Sequence, residues 1–257
     1  MAQPFSMRSE NTSRGRVSVQ AVVLCGGRGR RLRPITDTIP KPLVKVAGRE
    51  IIRSSIEGLL DIGISDVTFV VKYLAKDVED FVRNNYEGNF LFVPQIDAEG
   101  TGAAILSAKN IVSDEFVMLY GDNIFSNGSI RRLVEAPGDG AVGVSVSLEP
   151  ERYGCVELNE NNTVSGIVEK PRVPATNLVV QGGFRLQPEI MRHLSNISLS
   201  ARGELEIPDA VNLSIKDGAV YSCAQMDGTI DLASLADIER YESRILNGPD
   251  PAVAPLV

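Results

Sequence analysis

Residues 20–48 read QAVVLCGGRGRRLRPITDTIPKPLVKVAG and join an apolar run to a glycine-rich, basic segment. The run at 20–25 is typical of a buried parallel strand, and the glycines follow it directly. Asp37 is the only acid between 24 and 48, whereas the cations there are Arg28, Arg30, Arg31, Arg33, Lys41 and Lys45. The whole chain carries a formal net charge of -7. A cationic glycine loop in an acidic protein indicates a site for a compact anion such as a phosphate chain.

Composition places the chain among ordinary globular proteins and excludes several classes of function. It has 257 residues, 43% hydrophobic and 23% charged, which suits one large domain or two small ones. No apolar run is long enough to cross a bilayer, so we expect no membrane partner. The net acidity argues against nucleic acid. Cys25, Cys155 and Cys223 are too widely spaced for a disulfide framework and suit a reducing compartment, so a cytoplasmic location is expected.

The chain divides into three parts. Residues 1–18 are polar and lack the apolar core of a signal peptide, which predicts a disordered N-terminal extension. Residues 19–246 are predicted to form a single domain. Residues 247–257 are rich in Pro and Ala and are predicted to be a flexible tail.

Strand and helix patterns alternate through the first half of the chain. Strands are predicted at 19–24, 66–71, 89–93 and 115–120, with helices at 49–60, 75–86 and 101–111. This alternation predicts a Rossmann-like, doubly wound α/β fold with a mainly parallel sheet and helices on both faces. After residue 140 the strands at 141–148, 155–158, 164–168 and 177–186 predict an antiparallel extension. Helices at 188–194, 204–215 and 232–246 and a strand at 220–224 complete the prediction.

Common nucleotide-binding and catalytic motifs do not fit. A GxGxxG pattern starting at Gly27 would need glycine where Leu32 stands, and the Walker Gly-Lys-Ser/Thr is absent, which disfavours a dehydrogenase or a P-loop enzyme. His193 is the only histidine and is predicted to be a surface or helix-end residue. Histidine-rich metal sites are therefore excluded, and no nucleophile-elbow motif supports a Ser-His system.

The segment GGRGRRLRPITDTIPKPLVKVAG at 26–48 resembles the signature of the sugar-1-phosphate nucleotidylyltransferases, roughly GGxGTRLxPxTxxxPKPLxxVxG. Further matching motifs follow in order. They are Gln95 with EGTG at 99–102, YGDN at 120–123, RYGCVE at 152–157, VEKP at 168–171 and GELEIPDAVN at 203–212. The resemblance covers about residues 19 to 246, and within the family the chain is similar to glucose-1-phosphate thymidylyltransferase. It implies that the antiparallel extension binds sugar. The chain ends soon after Leu246, so the left-handed β-helix domain of some relatives, and with it acyl transfer, is not expected.

Three side chains also suit such a reaction by their chemistry. Asp122 follows a strand at the edge where ligands bind in parallel sheets, and a carboxylate there can hold Mg²⁺. Lys170 ends a strand before Pro171 and offers a point charge for a phosphate. The amide of Gln95 can both donate to and accept from the edge of a base. Without the resemblance, each would be interpreted as a turn or surface residue.

The resemblance implies a role for each matching residue. Residues implied in catalysis are Arg31, Lys41, Asp122 and Lys170. The nucleotide would be bound by Leu24, Gly26, Gly27, Gly29, Gln95 and Gly100. The sugar phosphate would be bound by Gly154, Glu169, Lys170, Val180 and Gly182. Mg²⁺ would be held by Asp122 and Asp227.

Two positions depart from the family pattern. The second metal-binding aspartate usually lies in Trp-x-Asp-x-Gly-Thr, but this chain has no tryptophan and its segment is shortened. Asp227 is the preferred candidate there, and Asp231 is the alternative. Arg30 stands where the family commonly has Thr or Ser, which adds positive charge beside the triphosphate.

The implied reaction transfers a nucleoside monophosphate from an NTP to a sugar 1-phosphate and releases pyrophosphate. The Gln95 and Gly100 match favours dTTP or UTP, with glucose 1-phosphate as the acceptor. Guanylyl or cytidylyl transfer to an unusual sugar phosphate stays open, as does a non-catalytic relative that binds nucleotide sugars and regulates a partner. Family members often form homo-oligomers, and the sequence leaves this open here.

Overall fold

The computed structural model describes residues 19–232 and 234–247. The predictions for residues 1–18 and for the tail beyond Asn247 lie outside these residues. The strands are β1 (Gln20–Cys25), β2 (Lys45–Val46), β3 (Arg49–Glu50), β4 (Asp66–Val71), β5 (Asn89–Pro94), β6 (Phe116–Tyr120), β7 (Asn123–Ile124), β8 (Gly140–Val146), β9 (Gly154–Leu158), β10 (Val164–Glu169), β11 (Leu178–Leu186), β12 (Tyr221–Gln225) and β13 (Ile230–Asp231). The helices are α1 (Arg53–Leu60), α2 (Ala75–Asn85), α3 (Thr101–Leu106), α4 (Ser129–Glu135), α5 (Ile190–Leu194), α6 (Ile207–Lys216) and α7 (Leu235–Asn247).

The main sheet has nine strands among the described residues. Its order is β10-β9-β11-β6-β1-β4-β5, with β8 paired to β11 and β12 paired to β8. Strands β6, β1, β4 and β5 are mutually parallel, whereas β11 is antiparallel to β6, β8 and β9. The mainly parallel sheet and its antiparallel extension are therefore confirmed. Because β1, β4, β5 and β6 run in one direction, the loops that follow them meet at a single edge.

Both faces of the sheet are covered by helices. On β1, Val22 faces the cluster formed with α3, α5 and α6, whereas Ala21 and Val23 face the cluster formed with α1, α2 and α4. Successive residues of a strand point to opposite faces, so a continuous apolar strand buries side chains on both sides. The doubly wound architecture predicted from the alternation of elements is confirmed.

A third apolar cluster joins α7 to the segment after the glycine-rich loop. Ile238 of α7 packs with Leu32, Val44 and Leu232 in this cluster. The backbone N–H of Ala47 also donates to the carboxylate of Glu242, at 2.8 Å. The last helix therefore holds the basic segment against the body of the domain.

Several element boundaries differ from the predictions. The first helix begins at Arg53 rather than at 49, because β2 and β3 form a short hairpin around Ala47 and Gly48, which both have positive φ. The helix predicted at 101–111 ends at Leu106. Helix α4 is absent from the predictions. Its buried apolar residues, Ile130 and Leu133, are one helical turn apart, which is too short a stretch for helical periodicity to be recognised.

The single histidine lies at a helix end, as one of the two predicted alternatives has it, but it is buried and not at the surface. His193 lies in the last turn of α5 with 5% of its surface exposed. Burial and the neighbouring Arg192 lower its pKa, so the imidazole is neutral at pH 7. In the described part of the chain, every helix falls short of the length and apolarity that a membrane span requires.

Candidate active site

The glycine-rich loop follows β1 and is shaped by contacts with the segment after it. Gly29 has a φ of 59°, and the hydroxyl of Thr36 donates to its carbonyl at 2.8 Å. A Cβ at Gly29 would lie 2.9 Å from Thr36 and 3.1 Å from Lys41, so a side chain does not fit there. Gly27 faces open space. At the start of the loop, the carbonyl of Leu24 accepts from Gly121 N–H at 3.0 Å, which links β1 to the turn after β6.

The arginines of this loop differ in their partners. Arg33 pairs with Asp37 at 3.0 Å, and Arg28 stacks on the ring of Tyr73. Arg30 and Arg31 are exposed and form no hydrogen bond or ion pair with any described residue. Arg31 lines the cleft described below, so its charge is available to an anion there.

Lys41 is the buried cation of the site. It follows Pro40 in a 3₁₀ turn, and only 9% of its side chain is exposed. Its Nζ donates to Asp122 Oδ2 at 2.7 Å and lies 3.9 Å from Asp231 Oδ1. One buried ammonium group therefore lies between two carboxylates at the carboxyl edge of the sheet.

The two carboxylates have opposite pKa shifts. Burial alone would raise the pKa of Asp122, but the charge and hydrogen bond of Lys41 outweigh it and lower that pKa. Burial raises the pKa of Asp231 to about 6, and the charge of Asp122 adds to this effect, with Lys41 and Arg31 opposing it. The two carboxylates lie close together, and their like charges repel each other. A further positive charge between them would remove the repulsion.

The two candidates for the second metal-binding aspartate lie in different places. Asp227 is exposed in the turn after β12, where its carbonyl accepts from the hydroxyl of Ser126. Asp231 instead lies in β13, which pairs with β7 so that Asp231 is opposite Asn123 and adjacent to Asp122. Strand pairing, rather than the turn sequence, decides which aspartate reaches the site.

Asn123 was not predicted as a site residue, and it connects the aspartate to the antiparallel strands. Its Nδ2 donates to Asp122 Oδ1 at 3.1 Å, while its Oδ1 accepts from Gln181 at 2.8 Å and from Gly182 N–H at 3.2 Å. Gly182 has a φ of 77°, and a Cβ there would lie 2.5 Å from Met226. The signal for Asn123 was its position directly after Asp122 in the quoted YGDN motif.

A cleft of about 480 Å³ opens beside these groups. The predicted sugar-phosphate residues all line it, and they include Lys170, which is also a predicted catalytic residue; two further predicted catalytic residues line it as well. They are Gly154, Glu169, Lys170, Val180 and Gly182, with Arg31 and Asp122. Asp231 and Arg202 also line the cleft. The antiparallel strands and the parallel sheet therefore contribute opposite walls of one cavity.

Lys170 has an unusual backbone conformation at the end of β10. Its φ is 44°, in the left-handed region that non-glycine residues rarely adopt. Its N–H donates to the carbonyl of Tyr153 at 3.0 Å, and its Nζ lies 3.3 Å from Glu169. Such a conformation persists only where the surroundings enforce it.

Arg202 is a second cation of the sugar-phosphate wall, and the sequence analysis missed it. Its guanidinium lies 2.6 Å from Glu206, 3.2 Å from Glu169 and 3.3 Å from Glu204. Burial raises the pKa of Glu169, and the charge of Lys170 opposes this only in part. The one indication of Arg202 in the sequence is its position directly before the quoted GELEIPDAVN motif. By residue type alone it does not differ from the many charged residues expected at the surface.

The predicted base-binding residues lie on the other side of the glycine loop. Gln95 Oε1 lies directly against Gly26, close enough that no Cβ fits between them. The Nε2 of the same amide donates to Ala98 O at 3.0 Å. Because the carbonyl of Ala98 can only accept, the NH₂ end of the Gln95 amide must face it. This contact fixes the orientation of the amide and leaves Oε1 facing the loop.

The loop at 99–102 is joined to the segment that carries Arg202. Leu205 N–H donates to Glu99 O at 2.9 Å, and Gly102 N–H donates to Leu205 O at 2.8 Å. Gly100 has a φ of 102° and lies against the backbone of Leu205 with no room for a Cβ. This seam between Glu99–Gly102 and Leu205 connects the predicted base side to the sugar-phosphate side.

Comparisons with known proteins identify relatives of this chain. The nucleotidyl transferase family model matches residues 20–247. The bifunctional sugar-1-phosphate nucleotidylyltransferase/acetyltransferase of Sulfurisphaera tokodaii is 40% identical over 203 residues, which are 79% of this chain and 49% of that protein. The UTP–glucose-1-phosphate uridylyltransferase AglF of Haloferax volcanii is 31% identical over 234 residues, covering 88% of this chain and 96% of AglF.

A solved structure supports the fold. A UDP-glucose pyrophosphorylase in complex with UDP-glucose superposes with a TM-score of 0.78 at 21% identity, covering 89% of this chain and 98% of that one. At this identity the likeness concerns the fold alone. The chain spans about half the length of the first curated relatives that it matches.

Proposed function

The chain belongs to the nucleotidyl transferase family, and from this premise we propose that it transfers a nucleoside monophosphate from an NTP to a sugar 1-phosphate. The observation that supports this best is the position of Lys41, which lies between Asp122 and Asp231. Arg31, Lys170 and Arg202 line the cleft beside these groups, and Gly27 of the glycine loop faces open space. Cations suited to two phosphate-bearing substrates would therefore meet at one charged centre.

The loop would hold the triphosphate. Main-chain N–H groups at Gly27 and Gly29 can approach phosphate oxygens because no side chain intervenes. Arg31, which forms no ion pair with an acid in the described part of the chain, would neutralise the β- and γ-phosphates as pyrophosphate forms. Lys41 would hold the reacting phosphates. Its burial would strengthen the attraction between its ammonium group and the phosphate oxygens.

The sugar-phosphate wall would present the nucleophile. Lys170 and Arg202 would bind the phosphate of the sugar, while Glu169 and the backbone of Gly154 and Gly182 would meet its hydroxyls. A phosphate oxygen of the sugar 1-phosphate then attacks the α-phosphorus. The new P–O bond forms as the bond to the β-phosphate oxygen breaks, and the electron pair leaves with pyrophosphate. Positioning and charge neutralisation dominate such a transfer.

The donor set fits a magnesium ion. Asp122 and Asp231 offer carboxylate oxygens, and their mutual repulsion would be relieved by a divalent cation. Among residues 19–232 and 234–247 no third acid, cysteine or histidine completes a cluster, so phosphate oxygens and water would complete the coordination. When bound, Mg²⁺ would screen the repulsion between the two polyanionic substrates.

The fixed amide of Gln95 favours UTP or dTTP as the donor. Its free Oε1 can accept the ring N–H of uracil or thymine, whereas cytosine presents an acceptor at the same ring position. AglF, which aligns over nearly its whole length, is by its name a UTP–glucose-1-phosphate uridylyltransferase. We therefore propose glucose 1-phosphate as the acceptor.

Pyrophosphate release tests the proposed function. The chain is incubated with Mg²⁺ and each of UTP, dTTP, CTP, GTP and ATP against glucose 1-phosphate and other sugar 1-phosphates. We expect release that requires both substrates and the metal. Nucleotide binding without release in every combination would instead support a non-catalytic relative.

The base preference is a separate prediction. UTP or dTTP should exceed CTP in kcat/KM by about a hundredfold, because CTP would leave the half-buried Gln95 amide without a matching hydrogen-bond partner. Gln95→Leu should reduce this ratio to below about tenfold, since apolar groups discriminate weakly. Gln225→Leu, at an exposed position on β12, is the control and should retain the ratio. Equal use of CTP and UTP by the unmodified chain would contradict the assignment.

Arg31 gives a further prediction. Arg31→Ala should lower kcat/KM by about thirty- to a hundredfold through loss of one charge at the leaving pyrophosphate. Arg33→Ala is the matched control, because Arg33 lies in the same loop but is paired with Asp37. Its loss should change kcat/KM by less than about threefold, as for an exposed ion pair. Equal decreases in kcat/KM for the two variants would contradict the role assigned to Arg31.

A further inference from the structure

Asn212 of α6 forms two hydrogen bonds to one residue of β10. Its Oδ1 accepts from Ile167 N–H and its Nδ2 donates to Ile167 O, both at 2.8 Å. Strand β10 is the first strand of the main sheet, so no strand among residues 19–232 and 234–247 pairs with its outer edge. The amide of Asn212 therefore takes the place of a strand partner at Ile167.

This contact lies close to the sugar-phosphate wall. Ile167 is two residues before Glu169, and Lys170 follows with its positive φ. The backbone groups of Ile167 and Glu169 face the same outer edge, because strand residues alternate. On the inner edge, Lys170 N–H is bonded to Tyr153 O. The position of β10 thus decides where the Lys170 ammonium lies.

Helix α6 reaches the same wall at its other end. Glu206, directly before α6, is 2% exposed and accepts from Arg202 at 2.6 Å. Asn212 is just under two turns further along the helix. One rigid element therefore holds both cations of the wall, Arg202 through Glu206 and the Lys170 strand through Asn212.

We propose that Asn212 is a positioning residue for the sugar 1-phosphate, acting through β10 on Lys170. This inference rests on the proposed function. Only an amide supplies a donor and an acceptor in the required arrangement without charge. An aspartate would place a carboxylate oxygen against Ile167 O, and an alanine would leave both groups of Ile167 without this partner.

The test is steady-state kinetics of Asn212→Ala with UTP and glucose 1-phosphate as probes. The KM for glucose 1-phosphate should rise about tenfold, while the KM for UTP should stay within about twofold, because the substitution moves only one wall. Asn159→Ala is the matched control. Asn159 also forms several hydrogen bonds, to Asn161 and Thr163, but in the turn at the far end of the same hairpin.

The two KM values distinguish a positioning role of Asn212 from a general structural one. A rise in both KM values, or an equal rise in the Asn159→Ala variant, would show a general structural role and overturn the proposal. If the alanine variant does not fold, Asn212→Ser keeps one donor and acceptor and should raise the KM for glucose 1-phosphate about threefold; an unchanged value would again overturn it. An unmodified chain without turnover on any sugar 1-phosphate would instead refute the proposed function.

Discussion

Replacing Lys41 by methionine is expected to lower kcat by about a thousandfold, the upper range for removing one preorganised charge from a reaction centre. Methionine keeps much of the length of the side chain but leaves Asp122 and Asp231 without their shared cation. Even with Mg²⁺ bound, the triphosphate would then lack the buried ammonium group proposed to hold it. The measurement is kcat for pyrophosphate release at saturating substrates and Mg²⁺.

Lys45→Met is the control for this substitution. Lys45 lies four residues away, is 65% exposed and pairs with Glu50 at 3.6 Å, remote from the two aspartates. It should retain kcat within about twofold, because exposed ion pairs contribute little. Circular dichroism should show both variants folded. A Lys41→Met enzyme with more than about a tenth of the unmodified kcat would contradict the assigned role.

The second large effect is expected from Asp231→Asn, which should lower kcat/KM by about a hundred- to a thousandfold. The substitution removes one of the two carboxylates proposed to hold the metal and keeps the size of the side chain. Asp227→Asn is its matched control, since Asp227 is exposed in the turn after β12. Its effect should be less than about threefold, as for other surface substitutions.

Metal binding gives this pair a readout that does not depend on turnover. In the presence of UTP, Mn²⁺ titrated into the protein and followed by electron paramagnetic resonance should bind the Asp227→Asn variant as tightly as the unmodified chain. The Asp231→Asn variant should bind it at least about tenfold more weakly. The reverse order would support Asp227 as the second metal ligand.

The sheet and one edge of the site could be predicted from the sequence, because the residues that indicate them are close together along the chain. Apolar strands followed directly by glycine or polar residues give both the parallel order and the place where ligands gather. Gly26, Gln95 and Asp122 all follow such strands. Their positions near one edge could therefore be expected before any contact was known.

The second aspartate could not be predicted in the same way. Asp231 reaches Asp122 through the pairing of β7 with β13, and each of these strands has two residues. Two residues give no periodic pattern, so the turn sequence at Asp227 was the stronger local signal. Tertiary pairing across more than a hundred residues decided the outcome.

Arg202 was missed for a related reason. A charged side chain in a loop is usually solvated, and nothing local marks this one. Its position depends on Glu169 and Glu206, which belong to different elements. Ion clusters that join distant segments become visible only in the folded chain.

The seam at Leu205 has a consequence for how such a protein can change its substrates. The loop at 99–102, proposed to face the base, and the segment that bears Arg202 share main-chain hydrogen bonds, and Gly100 leaves no room between them. If these proposed roles hold, an insertion made to admit a larger base would also displace Arg202. Donor and acceptor preferences would then be coupled, and a change engineered in one would require a compensating change in the other.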